Sequence, residues 1–122
     1  NGNVKAKWKT LGHDIIHNHE DFFKLKKDNS KVIYISSPPY SKTNNIFKHL
    51  FFLDKPFMLL LPMNKIAHIK TQRIIKNKKI QLIPSPIYTG FITPKGVKTR
   101  NPPNYNGWVC YKLNLPNDLF FI

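Results

Sequence analysis

Ser37-Pro38-Pro39-Tyr40 follows directly on the apolar run Val32-Ile33-Tyr34-Ile35. Two successive prolines cannot donate to a sheet ladder, so a strand must end there and the chain must turn outward. A hydroxyl, a stiff Pro-Pro backbone and an aromatic ring are thereby fixed at the C-terminal end of a strand. In open α/β sheets that end is where ligands bind. The chemistry on offer is a grip on a planar, amino-bearing group. Ser37 Oγ and the rigid carbonyls accept its hydrogen bonds, and Tyr40 supplies a stacking face. Taken alone, the tetrapeptide reads equally well as a strand stop with a surface tyrosine.

Other chemistry-bearing residues are less specific. His13, His17 and His19 precede Glu20 and Asp21, but their spacing matches no zinc framework, and no metal site is expected. Cys110 is the only cysteine, which excludes an intrachain disulfide and a cysteine-based zinc site. Lys24, Lys26, Lys27 and Lys31 read as a solvated edge. Lys70, Arg73, Lys76, Lys78 and Lys79 suit the wet face and C-terminal end of a helix, where cations favour the dipole. Lys70 and Arg73, with Lys95, Lys98 and Arg100 further on, are candidates for phosphate contacts. Trp108 and Cys110 alternate with Val109 and Tyr111 along a strand and are read as core.

The elements that must position these groups follow from apolar patterning. Val32 to Ser36 is predicted as a buried strand between Asp28-Asn29-Ser30 and the prolines. Ser41-Lys42-Thr43 can cap a helix whose inner face carries Ile46, Phe47, Leu50 and Phe51. Phe57 to Leu61 is a second fully apolar strand, stopped by Pro62. Asn64 can cap a second helix with Ile66, Ala67, Thr71, Ile74 and Ile75 inward. Ile80 to Ile83 is a third strand, stopped by Pro84. These strands are centred about 25 residues apart with a helix in each gap, the spacing of βαβ units. Pro86 to Asn106, rich in Pro, Gly, Thr and Asn, reads as a functional loop. Gly107 to Leu113 and Asp118 to Ile122 are predicted to form a closing antiparallel hairpin. Val4 to Ile16 is predicted to hold one further strand ending near Asp14.

The 122 residues fit one domain, residues 1–122, and 41% hydrophobic with 13% aromatic residues argues for a packed core. A net charge of +14 favours a polyanionic partner. Only Arg73 and Arg100 are arginines, and the wealth of Lys, Asn, Ile, Phe and Tyr fits A/T-rich coding, which accounts for part of that charge. No apolar run approaches the roughly 20 residues of a membrane span, so no membrane partner is expected. The first residues carry no apolar signal region, and an intracellular setting is expected, cytoplasmic or nuclear.

The blocks Gly12-His13-Asp14-Ile15, Glu20-Asp21-Phe22-Phe23, Ser36 to Ser41 and Lys55 to Pro62 stand in an order that resembles a known family. Asn104 to Tyr111 and Leu115 to Leu119 complete the series. The chain resembles the S-adenosylmethionine-dependent amino-methyltransferases, above all the small phage-type adenine-N6-methyltransferase-like proteins, over nearly its whole length. The resemblance implies an α/β, Rossmann-like methyltransferase sheet, mostly parallel with a C-terminal antiparallel hairpin. It implies methyl transfer from S-adenosylmethionine to the exocyclic amine of adenine or cytosine in nucleic acid, DNA in preference to RNA. By the same resemblance Asp14 takes the place of the acid that accepts from the cofactor ribose. Asp21 takes that of the acid beside the cofactor adenine, with Phe22 packing near its ring. Ser37, Pro38, Pro39 and Tyr40 take that of the catalytic motif. The family's glycine-rich cofactor loop lies before the Asp14 region and is not among these residues, which implies the C-terminal portion of the fold. Ser37 stands where adenine enzymes usually carry Asn or Asp and cytosine-N4 enzymes Ser, so the target base stays open. Two alternatives remain beside this one. One is a catalytically degenerate methyltransferase fold binding nucleic acid or protein; the other is a basic α/β module without a cofactor.

Overall fold

Phe57–Pro62 is apolar at every position, which suits a strand buried on both faces. It forms β2, and a computed structural model, which describes residues 21–85 and 105–122, builds the sheet around it. β1 is Tyr34–Ser36, β3 is Ile80–Pro84 and β4 is Asn106–Tyr111. Helix α1, Thr43–Leu53, joins β1 to β2, and α2, Ile69–Ile75, lies between β2 and β3. The architecture is α/β with an open, mixed four-strand sheet in the order β1-β2-β4-β3.

The expected mostly parallel pairing is corrected. Only β1 and β2 pair in parallel, whereas β4 runs antiparallel to both β2 and β3. β1, β2 and β3 still point the same way, because β4 is wedged between the last two. The reason lies in side-chain character. β2 and β4 are apolar on both faces and take the two central places. β3 carries the polar Gln81 and stands outside β4.

The predicted closing hairpin is also corrected. Both edges of β4 are occupied by β2 and β3, so Asp118 to Ile122 cannot pair with it. Asp118 to Phe120 instead follows the outer edge of β3. Leu82 N donates to Asp118 O at 2.7 Å and Phe120 N donates to Leu82 O at 2.8 Å. The bridge from Leu82 to Leu119 is parallel. Positive φ at Lys112 and Asn114 swings the chain off the end of β4. Gln81 then holds the returning segment: its Oε1 accepts from Leu115 N at 2.8 Å and its Nε2 donates to Leu115 O at 3.0 Å.

Phe57, Leu59 and Leu61 alternate onto the helical side and pack with Ile46, Phe47 and Leu50 of α1, Ile75 of α2 and Val109 of β4. Burying each such side chain stabilises by about 1.5–3 kcal/mol. At the start of β2 aromatic rings dominate: Phe51 lies 5.5 Å from Phe57 and 5.2 Å from Tyr111. Such pairs add about 0.5–1.5 kcal/mol each beyond the area they bury.

The first strand departs from expectation. It is short and stands at the edge of the described sheet, with Ile33 55% and Ile35 41% exposed. Ile35 shares the face of Met58 and Cys110, opposite the helices, and at the sheet edge it stays exposed while Cys110 further in is buried. The second helix also begins later than predicted. Asn64 lies inside a 3-10 turn, Met63–Ala67, and His68 occupies the N-cap without a side-chain bond. Thr71 and Ile75 face inward as read, but Ala67 is exposed. At α1 Lys42 holds the N-cap position, and Thr43 Oγ1 donates back to Tyr40 O at 3.0 Å. Among the described residues no helix is long and apolar enough to cross a membrane.

Candidate functional site

The prolines end β1 at Ser36, as their chemistry requires, and the next residues turn into a 3-10 segment, Tyr40–Lys42. Pro39 occupies the N-cap of that segment, and Lys42 N donates to Pro39 O at 3.0 Å. Pro38 is buried, Tyr40 is half-buried against the core cluster, and Ser37 and Pro39 are exposed. The motif is thus anchored by one proline and one ring, with the Ser37 hydroxyl left at the surface. Burial pushes the Tyr40 phenol above its ordinary value, so it stays an O–H donor across the physiological range.

Co-direction of β1, β2 and β3 decides what surrounds the motif. Their C-terminal ends lie on one edge of the sheet, together with the start of β4. That edge gathers Ser37 to Tyr40, Pro62 and Met63, Ser85, Tyr105 and Asn106. Met63 N donates to Tyr105 O at 2.9 Å and Ser85 N donates to Asn106 O at 3.0 Å, which draws the strand ends together. Gly107 lets them close. A Cβ there would stand 2.7 Å from Met63 Sδ and Cε and 3.0 Å from Ile83 O. Thr71 Oγ1 donates to Asn44 Oδ1 at 2.7 Å and ties α2 to the first turn of α1 beside the motif.

Charge is distributed unequally about this edge. Asp28 and Asp54 sit at the opposite edge: Asp28 binds Lys55 at 3.1 Å and Asp54 binds Lys112 at 2.8 Å. Asp118 lies beside the middle of β3, and Asp21 caps the turn Phe22–Lys24 by accepting from Phe23 N at 3.0 Å. Among the described residues, therefore, the motif edge bears no acid. It bears Lys42 and Lys65, and Lys70 follows at the start of α2, next to Thr71. Lys70 and Arg73 are exposed one turn apart on that helix.

The expected cofactor pair stands elsewhere on β1. Phe22 packs edge-on to Tyr34 at 6.3 Å, at the entry of the strand, and to His49 of α1 at 5.0 Å. Ser37 to Tyr40 leave from the exit of the strand. Among the described residues no hydrogen bond or ring contact joins the two sets. Asp21 uses one carboxylate oxygen in its cap and keeps the other for a further donor. Asp14, Lys95, Lys98, Arg100 and the histidines 13, 17 and 19 lie outside the described residues. So does the strand predicted over Val4 to Ile16.

Cys110 is fully buried, and burial raises its thiol to about 11, which keeps it a protonated core side chain at neutral pH. Trp108 beside it is half-buried. Sequence reading passes over Asn44 and Met63, which brace the site edge. Both are ordinary in type, and only the pairing of α1 with α2 and of β2 with β4 gives them that role.

Comparison with known protein families, with curated proteins and with solved structures found no match for this chain. Function is therefore read from residue chemistry and geometry.

Proposed function

We propose that this chain belongs to an S-adenosylmethionine-dependent amino-methyltransferase acting on adenine or cytosine in nucleic acid, in an intracellular setting. One observation carries the proposal. Ser37-Pro38-Pro39-Tyr40 stands at the common C-terminal edge of three co-directional strands, held by buried Pro38 and half-buried Tyr40, with Ser37 free to meet a ligand. A ligand-binding edge is the expected consequence of that strand arrangement. A Rossmann-like methyltransferase sheet is the finer architecture that such co-directional strands with a reversed last strand support.

S-adenosylmethionine supplies a methyl group already activated on a sulfonium, so no strong base is required of the protein. What the protein must do is position the amine and complement developing charge. Ser37 Oγ and the Pro38 carbonyl accept the two amine hydrogens and thereby aim the nitrogen lone pair. Tyr40 stacks on the base, which must leave its helix to be reached. Asp14, Asp21 and Phe22 would hold the cofactor. Lys70, Arg73, Lys95, Lys98 and Arg100 would meet phosphates, which orient the strand without reading its sequence.

Calorimetry of the whole protein with S-adenosylhomocysteine tests the cofactor half. Saturable binding is expected, and a flat titration overturns the proposal. Transfer of labelled methyl to adenine- and cytosine-bearing oligonucleotides then identifies the base. Ser37→Ala should lower that transfer by about tenfold or more while leaving the fold intact, because it removes only an orienting acceptor.

A further inference from the structure

We infer that the outer side of α1 carries a stacking platform for single-stranded nucleic acid, separate from the Ser37 motif and bordering Phe22. The platform is built from Phe23, His49 and Phe52. Phe23 is 41% and Phe52 54% exposed, and the His49 ring lies between them, 5.8 Å from the first and 5.7 Å from the second. His49 is fixed in turn: its Nε2 lies 3.1 Å from Leu25 O, and since a carbonyl only accepts, Nε2 carries the proton. Three rings from two separate elements thus form one continuous aromatic surface.

Phe52 breaks the pattern of its own helix. The apolar stripe of α1 is Ile46, Phe47, Leu50 and Leu53, all buried, and Phe52 falls on the polar side with Asn45 and Lys48. A ring on the wet face contributes nothing to the core it points away from. Around it, among the described residues, cations outnumber acids. Lys27 Nζ lies 5.7 Å from the Phe52 centroid, and Lys24 and Lys48 are exposed nearby. Of the acids nearby, Asp28 is held by Ser30 and Lys55 and Asp54 by Tyr111 and Lys112, while Asp21 gives one oxygen to Phe23 N.

Exposed rings set among lysines bind single strands by stacking on bases while the cations track phosphates. Charge complementarity selects a polyanion, and the shape selects among polyanions. An anionic membrane surface requires a broad apolar face to insert. The apolar face of α1 is already in the core, and two exposed rings remain, enough for bases and too little for insertion.

Fluorescence anisotropy of a labelled oligothymidylate of about 12 nucleotides, without cofactor, tests the inference. Phe23→Ala and Phe52→Ala should each weaken binding about tenfold and leave its salt slope unchanged, since stacking is lost and no cation is. Phe52→Leu should fail to restore binding, because it keeps apolar area but not a ring face. Circular dichroism of each variant should overlay the parent, both rings being surface residues. Wild-type affinity in the Phe variants, full rescue by Phe52→Leu, or preference for phosphatidylserine vesicles over the oligonucleotide would each overturn it. The assay contains no methyl donor, so it can succeed where the methyltransferase proposal fails, and the reverse.

Discussion

The two edges of the sheet are built from different materials. At the edge where β2 begins and β4 ends, Phe51, Phe57 and Tyr111 interlock. Tyr111 Oη donates to Asp54 Oδ1 at 2.8 Å, and Asp54 and Asp28 each hold a lysine. At the edge where β1, β2 and β3 end stand prolines, hydroxyls, amides and cations without an acid among the described residues. The first edge pairs its acids with lysines of the chain. The second leaves Ser37 and Pro39 exposed and carries cations with no acid beside them among the described residues.

The most severe way to break this contrast is to attack what both edges share. Leu59→Ala, at a fully buried position in the middle of β2, should cost about 2–5 kcal/mol. Denaturant unfolding followed by tryptophan fluorescence and by circular dichroism should move together, because the core spans both edges. A sharper test removes function and spares stability: Ser37→Ala should lower methyl transfer about tenfold or more with an unchanged unfolding midpoint. Gly107→Ala should act on the site edge through packing and cost about 1–2 kcal/mol, as the new methyl meets Met63 and the Ile83 carbonyl. In a Met63→Ala background that penalty should shrink, which a double-mutant cycle would read.

The smallest effects belong to the ion pairs of the opposite edge, whose acids are exposed and screened by salt. Asp54→Asn should shift the thermal midpoint by no more than about a few degrees and leave oligonucleotide binding alone. Asp28 offers a pH test. Hydrogen bonds from the Ser30 hydroxyl and backbone amide, then the Lys55 ammonium, lower its carboxyl from 3.8 to about 2. A depressed folded-state value means that its stabilisation is present above pH 3.8 and is lost as pH falls through about 2. Acid unfolding of Asp28→Asn should therefore have a shallower slope in that window.

Much of this was legible in the sequence because it is local. Pro38 and Pro39 follow the end of β1 and Pro62 is the last residue of β2, so both ends could be read directly. The apolar stripe of α1 appears at helical spacing, and gaps of helical length between apolar runs imply α/β. The positions of Ser37 to Tyr40 at a strand end followed from the same local rules. Pairing partners were not legible. Nothing in Gly107 to Tyr111 states that this strand enters between β2 and β3, since any strand apolar on both faces can seek either. The returning tail met the same limit. Asn114 and Pro116 announce a turn, but the Gln81 side chain, far away in sequence, decides which strand the tail follows.

By itself, then, the sequence determined that these strands and helices exist and in what order, where prolines end β1 and β2, and the excess of positive charge. These follow from backbone sterics, side-chain period and composition. Only the tertiary structure decided that three strand ends meet on one edge, acid-free among the described residues, that β4 enters between β2 and β3, and that Phe23 and Phe52 flank His49. Those outcomes depend on which surfaces can be buried against each other, a competition among distant residues that local rules do not encode.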